Sequence, residues 1–131
     1  MWKYLLVFLL IMHGLAHMTG LLGFWTSGPQ AFAEKAWLFS KGVTPHSAAG
    51  WAFGLVWLVA VLAFVGAGLG LLLGQSWWSM LALVAAAVSL VAIVPWVQVV
   101  PPGAWAGACF DLVIFVALVL PWGNRVVAAL R

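Results

Sequence analysis

Four long apolar runs dominate the sequence and limit the folds that the chain can adopt. They cover about residues 4–24, 45–73, 77–97 and 104–120. A helix that spans a bilayer needs ~20 apolar residues, so each run has about the required length. Charged residues make up only 5% of the chain, against ~25% in a typical soluble domain. The sequence therefore predicts an all-α membrane protein, a single domain over residues 1–131 with four transmembrane helices in an up-down bundle.

The first connection, between the first and second runs, is the longest and has a mixed composition. Pro29 follows a serine and a glycine, which favours the start of a helix at this position. On a helix beginning there, Glu34 and Lys35 lie on one side and Phe32 lies on the other. The segment over about residues 29–39 is therefore predicted to form a short interfacial helix.

The distribution of Lys and Arg predicts the orientation of the chain. Four spans place both termini on one side, together with Lys3, Arg125 and Arg131, and leave Lys35 and Lys41 on the other. Short segments richer in Lys and Arg stay in the cytoplasm. We therefore expect a protein of the cytoplasmic (inner) membrane with both termini cytoplasmic and the lipid bilayer as its main partner. No basic patch interleaved with aromatic residues is present, which argues against nucleic acid as a partner.

Two rows of glycines indicate close helix packing. Gly66, Gly70 and Gly74 recur at intervals of four near the end of the second run, and Gly103 and Gly107 do so in the fourth. Small residues at this spacing let two helix backbones approach closely inside lipid. The partner helix can belong to this chain or to another membrane-protein subunit.

Three ionisable residues are predicted to lie within the membrane. His13 and His17 are one helical turn apart and share a helix face, and Asp111 lies near the middle of the fourth run. Ionisable groups at this depth are costly and mark a functional site by default. The first and fourth helices of an up-down bundle are neighbours, so Asp111 is expected at a depth between the two histidines. This set predicts a polar clasp between the helices, a ligand site or a proton-transfer site.

The ligand alternatives follow from the shared helix face. Two imidazoles on one face cannot easily supply both axial ligands of a haem, so a single axial ligand to haem or chlorophyll stays open. Two histidines with a carboxylate also match a metal set in ligand type. The sequence requires none of these cofactors. Cys109 is the only cysteine, and no nucleophile or second carboxylate accompanies the set, so the sequence does not indicate an enzyme.

The segment His-Gly-Leu-Ala-His-Met-Thr-Gly over residues 13–20 resembles the His-Gly-x-x-His motif in the first helix of a family of small, uncharacterised bacterial four-helix membrane proteins. The resemblance implies four transmembrane helices and no established activity. From size and composition we expect a small non-catalytic membrane protein, an accessory or assembly subunit of a larger membrane complex. One alternative is a haem- or chlorophyll-binding subunit of a respiratory or photosynthetic complex with His13 or His17 as ligand. The other is a small proton-handling transporter or enzyme that uses His13, His17 and Asp111.

Overall fold

Helices form all the regular structure in the part of the chain that is described. A computed structural model describes residues 1–26, 38, 43–96 and 103–130, and no β-strand occurs among them. The helices are α1 (Trp2–Ala16), α2 (Met18–Trp25), α3 (Ala48–Leu72), α4 (Trp78–Ile93), α5 (Gly103–Val119) and α6 (Gly123–Leu130), and a 3₁₀ turn (Val94–Trp96) extends α4. The predicted interfacial helix over 29–39 lies outside the described residues, apart from residue 38.

Three to four of these helices are long and apolar enough to cross a membrane. Three spans stand alone: α1 and α2 taken together, α3, and α4 with its 3₁₀ turn. The fourth candidate is α5, which is 17 residues long and is followed by α6 at a bend of 98°. The predicted all-α class with membrane-spanning helices is confirmed to this extent.

The helices pack in the order in which the chain forms them. The α1–α2 segment packs against α3, α3 packs against α4, and α4 packs against α5. In contrast, α1 and α5 make few direct backbone contacts. The helices are therefore closely packed where these neighbours meet, and the seam between α1 and α5 holds the cavity described below.

Two apolar clusters form the core, one toward each end of the bundle. The first cluster joins Leu10, Phe64, Trp78 and other residues of α1, α3, α4 and α5. The second joins Phe24, Trp57, Trp96 and neighbours nearer the opposite end of the same helices. Each cluster is closed to solvent by large side chains with little or no exposure. The residues that lie between the two clusters along each helix are therefore separated from water at both ends.

The beginning of α3 lies three residues later than the sequence pattern predicts. The run was expected to begin as a helix at residue 45, but α3 begins at Ala48. Ser47 is its N-cap: the Ser47 hydroxyl accepts a hydrogen bond from the Gly50 amide at 3.1 Å. A serine at this position satisfies one of the free amides at the start of a helix, and the preceding residues form a turn instead.

The glycines predicted to pack in α3 have two different roles. A Cβ on Gly66 would lie 3.1 Å from a Leu81 methyl, and one on Gly70 would lie 2.6 Å from the Trp77 ring, so both face residues at the start of α4. Gly74 contacts nothing in this way and adopts a φ of +69°. Its amide donates to the Leu71 carbonyl at 3.1 Å. The expected packing role of Gly74 is thus replaced by that of a left-handed residue that ends the helix.

Candidate functional site

A tightened turn of the first helix positions both histidines. The His17 amide donates to the Gly14 carbonyl at 3.0 Å, three residues earlier, and separates α1 from α2. This 3₁₀-type bond leaves the His13 carbonyl available, and His17 Nδ1 donates to it at 2.8 Å. Short 3₁₀ stretches within a helix often mark functional positions. The turn fixes the orientation of the His17 ring through its own backbone.

Asp111 of α5 contacts the first histidine across the open seam. Its Oδ1 lies 3.0 Å from His13 Nε2. Asp111 is fully buried, and the His13 side chain is 12% exposed. The structure therefore brings together two of the three ionisable residues that the sequence places in the membrane. The third, His17, does not contact Asp111 through a described hydrogen bond.

Ser89 of α4 connects Asp111 to His17. Its hydroxyl lies 2.5 Å from Asp111 Oδ2 and 2.7 Å from His17 Nε2, and the residue has no exposed surface. The four side chains form one continuous hydrogen-bonded chain in the order His13, Asp111, Ser89, His17, which joins α1, α4 and α5. We call it the polar chain. Its members lie between the two apolar clusters along each contributing helix.

Aromatic rings enclose the two imidazoles. The His13 ring centroid lies 4.6 Å from those of Phe64 and Phe110. The His17 ring centroid lies 5.2 Å from that of Trp57, and the two imidazoles contact each other edge to face at 4.7 Å. Such apolar packing lowers the local dielectric around the polar chain and makes each of its hydrogen bonds stronger than it would be in water.

A cavity of about 480 Å³ occupies the seam between α1 and α5. His13 and His17 belong to its wall, whereas Ser89 and Asp111 do not. Most of the surface is apolar, and several residues at the seam, such as Met12 and Ala106, are exposed. The described residues that line it are Leu9, Met12, His13, Ala16, His17, Thr19, Trp57, Ile93, Gly103, Ala104, Ala106, Gly107 and Phe110. Its volume is in the range of small-molecule sites, ~300–1,000 Å³.

The glycines predicted in the fourth run lie at this cavity. Gly103 begins α5 and lines the cavity. A Cβ on Gly107 would lie 3.0 Å from Ile93 Cδ1 and 3.3 Å from His13 Cε1. The absence of a side chain at Gly107 therefore leaves room for the His13 ring beside α5.

The arrangement limits the chemistry that these residues can perform. Ser89 is fully buried and its hydroxyl is held on both sides, so it cannot act as a nucleophile toward a molecule in the cavity. Both His17 nitrogens have hydrogen-bond partners, so His17 cannot ligate haem or chlorophyll without losing one. In the described part of the chain, no three His, Cys, Asp or Glu side chains are grouped as a metal site requires. Ser89 lies between Asp111 and His17. The predicted metal set would require His13, His17 and Asp111 to point at one common metal ion.

No family model, curated protein or solved structure matches the chain.

Proposed function

We propose that this protein binds a small, largely apolar molecule that enters the cavity from the bilayer between α1 and α5. The proposal depends on one observation. A cavity of about 480 Å³ has mostly apolar walls, and two histidines of the buried polar chain form part of those walls. Ligand sites combine apolar walls with a few fixed polar groups that orient the ligand. His13 supplies such a group here, and His17 adds its ring to the wall with both nitrogens already hydrogen-bonded.

The route into the cavity is supported by the packing of the helices. The two apolar clusters lie on either side of the polar chain, so they obstruct access from both aqueous faces. The seam between α1 and α5 lacks close packing, and its rim residues are exposed. In the proposed membrane arrangement these residues face lipid. A molecule dissolved in lipid therefore reaches His13 without crossing the core.

The polar chain supports a binding role because it holds the site in a fixed shape. Hydrogen bonds link α1, α4 and α5 at one level, where α1 and α5 would otherwise be joined by few contacts. Residues that orient a ligand are effective when their own positions are locked by further hydrogen bonds. The clasp expected from the sequence and the binding site are thus two roles of the same residues.

The proposal includes a membrane arrangement. We take α5 as the fourth span, since 17 apolar residues lie within the ~17–25 that can cross a bilayer. The bend of 98° then directs α6 along the membrane surface, where the exposed Arg125 can reach phosphate headgroups. Four spans place both termini on one side. The excess of Lys and Arg on that side favours the cytoplasmic side of the inner membrane.

The test is photo-crosslinking with an alkane that carries a diazirine, using the full chain in lipid nanodiscs. Crosslinks mapped by mass spectrometry should concentrate on cavity residues of α1 and α5. Ala106→Phe places a ring at the cavity rim and should reduce those crosslinks. Ala87→Phe, the matched control, adds the same ring at an exposed α4 position that does not line the cavity. Crosslinks spread evenly over the lipid-facing surface, or unchanged in Ala106→Phe, would refute the proposal.

The accessory-subunit role expected from the sequence stays a prediction. Isolation from native membranes in a mild detergent tests it: a stable protein without partner subunits would contradict it.

A further inference from the structure

The hydrogen bonds of the polar chain restrict where its protons can lie. The His13 carbonyl only accepts, so His17 Nδ1 carries a proton. Ser89 has one hydroxyl proton but lies within hydrogen-bond distance of two groups, His17 Nε2 at 2.7 Å and Asp111 Oδ2 at 2.5 Å. If Ser89 donates to Asp111, His17 Nε2 must donate to Ser89, and His17 is an imidazolium beside a carboxylate. If Ser89 donates to His17, Asp111 Oδ2 must donate to Ser89, and both residues are neutral.

These two arrangements contain the same number of protons and the same net charge. In both, Asp111 Oδ1 has no proton, so His13 Nε2 must donate to it at 3.0 Å. With His13 neutral, the whole chain carries no net charge. The other fully bonded arrangements, with the additional proton on Asp111 Oδ1 or on His13, each carry one positive charge. An uncompensated charge in an apolar interior is costly, so the uncharged arrangements are favoured.

This restriction determines the tautomer of His13, a residue that lines the cavity and is not fully buried. Because a neutral imidazole has one protonated and one bare nitrogen, a proton on Nε2 leaves Nδ1 as an acceptor. The other polar side chains in the wall add no free donor. Both His17 nitrogens are engaged, and the Thr19 hydroxyl donates to the Ala16 carbonyl at 2.8 Å. The Nε1 of Trp57 is buried from the surface.

We infer that the cavity selects an apolar alcohol or phenol, whose hydroxyl donates a hydrogen bond to His13 Nδ1. The inference rests on the proposed binding function and specifies its ligand. A ketone, ester or ether of the same shape has only hydrogen-bond acceptors, so it cannot form a hydrogen bond with the bare Nδ1 of His13. An ionised carboxylate adds a negative charge to a largely apolar wall whose side chains, His13 aside, offer no free donor. The site therefore distinguishes a hydroxyl compound from its oxidised or alkylated counterpart.

The experiment uses farnesol and farnesyl methyl ether as competitors of the diazirine alkane, with concentrations expressed as mole fraction in the nanodisc lipid. The two compounds share a hydrocarbon chain, and in the ether a methyl group replaces the hydroxyl proton. A hydrogen bond that would otherwise be unmade predicts that farnesol competes roughly tenfold more effectively than the ether. Neither compound should compete for the cavity residues in Ala106→Phe, and both should compete as before in Ala87→Phe.

The outcomes separate this inference from the function on which it rests. If both compounds compete equally, and only where residue 106 is alanine, the cavity binds apolar molecules but the hydroxyl preference is refuted. A preference for the ether would refute it as well. If neither compound competes at the cavity residues, the binding function itself fails. Nitrogen NMR of His13 reports the tautomer independently of any ligand, and a protonated Nδ1 in the ligand-free protein would overturn the physical basis of the preference.

Discussion

Replacing Ser89 with alanine should destabilise the protein through the loss of two hydrogen bonds alone. Ser89 is fully buried, and its hydroxyl bonds both His17 and Asp111. The substitution removes one oxygen atom and creates almost no cavity, and alanine is a good helix former. What changes is that Asp111 Oδ2 and His17 Nε2 lose their shared partner, Ser89 Oγ.

The size of the effect follows from the number of bonds lost. Hydrogen bonds between membrane helices contribute ~0.6 kcal/mol on average and up to ~1.7 kcal/mol each. Two of them give ~1–3 kcal/mol for Ser89→Ala. The upper part of this range applies because Asp111 and His17 remain buried, where an unpaired polar group costs ~1–3 kcal/mol. The free energy of unfolding should therefore fall by about 2–3 kcal/mol.

The assay is reversible unfolding in mixed micelles with increasing sodium dodecyl sulfate, followed by tryptophan fluorescence. Ser79→Ala is the matched control, since Ser79 lies on the same helix, is partly buried and makes no described hydrogen bond with its side chain. We expect the control to change stability by less than ~0.5 kcal/mol. If Ser89→Ala and Ser79→Ala have the same stability within ~0.3 kcal/mol, the polar chain does not link the helices as described.

Two further predictions test the helix packing and the fourth span. Gly14→Ala should lower the unfolding free energy by ~1–3 kcal/mol, because its Cβ would lie 2.9 Å from Phe64 Cβ. In Gly66→Ala the new Cβ meets only a Leu81 methyl, so the two effects should differ clearly in the same unfolding assay, and equal losses would contradict the α1–α3 packing. Cys109 is exposed on α5. In sealed vesicles a membrane-impermeant maleimide should not label it, because the reagent does not enter lipid, and the same reagent should label it after the protein is unfolded in sodium dodecyl sulfate. Labelling by the impermeant reagent in sealed vesicles, from either side, would refute α5 as a span.

Much of the architecture could be predicted because lipid imposes a simple rule on the sequence. Every spanning segment must satisfy its own backbone and present apolar side chains, so the spans are visible as uninterrupted runs. The first run was predicted over about 4–24, and α1 with α2 covers Trp2–Trp25. Depth arithmetic also placed Asp111 level with the histidines, and the structure joins it to His13.

Hydropathy could not predict the features that depend on single side chains. The break at His17 arises from a side chain that bonds its own backbone, and such a bond has no periodic signature. Ser89 was not assigned to the predicted site, because neither it nor Ser79 has a nearby histidine in sequence. One signal was available: Ser89 lies near the middle of its span, at the depth of Asp111, on a face of small residues with Ala82, Ala86 and Ala92.

The roles of the three glycines at the end of α3 also required the structure. Gly66, Gly70 and Gly74 have identical spacing, yet only the first two face residues at the start of α4, Leu81 and the N-cap Trp77. Gly74 ends the helix instead, because the chain must reverse direction before α4 begins at Trp78. A small-residue row read from sequence does not show where the helix stops.

The most direct test of the uncharged polar chain is the nitrogen NMR spectrum of histidine-labelled protein in lipid. The His46→Gln variant leaves two imidazoles, and Ser89→Ala identifies His17 as the one whose Nε2 loses its partner. The hydrogen-bonding pattern predicts that His13 has a protonated Nε2 and a bare Nδ1, and that His17 has a protonated Nδ1. A His13 ring protonated at Nδ1, with Nε2 bare or protonated as well, would contradict the account.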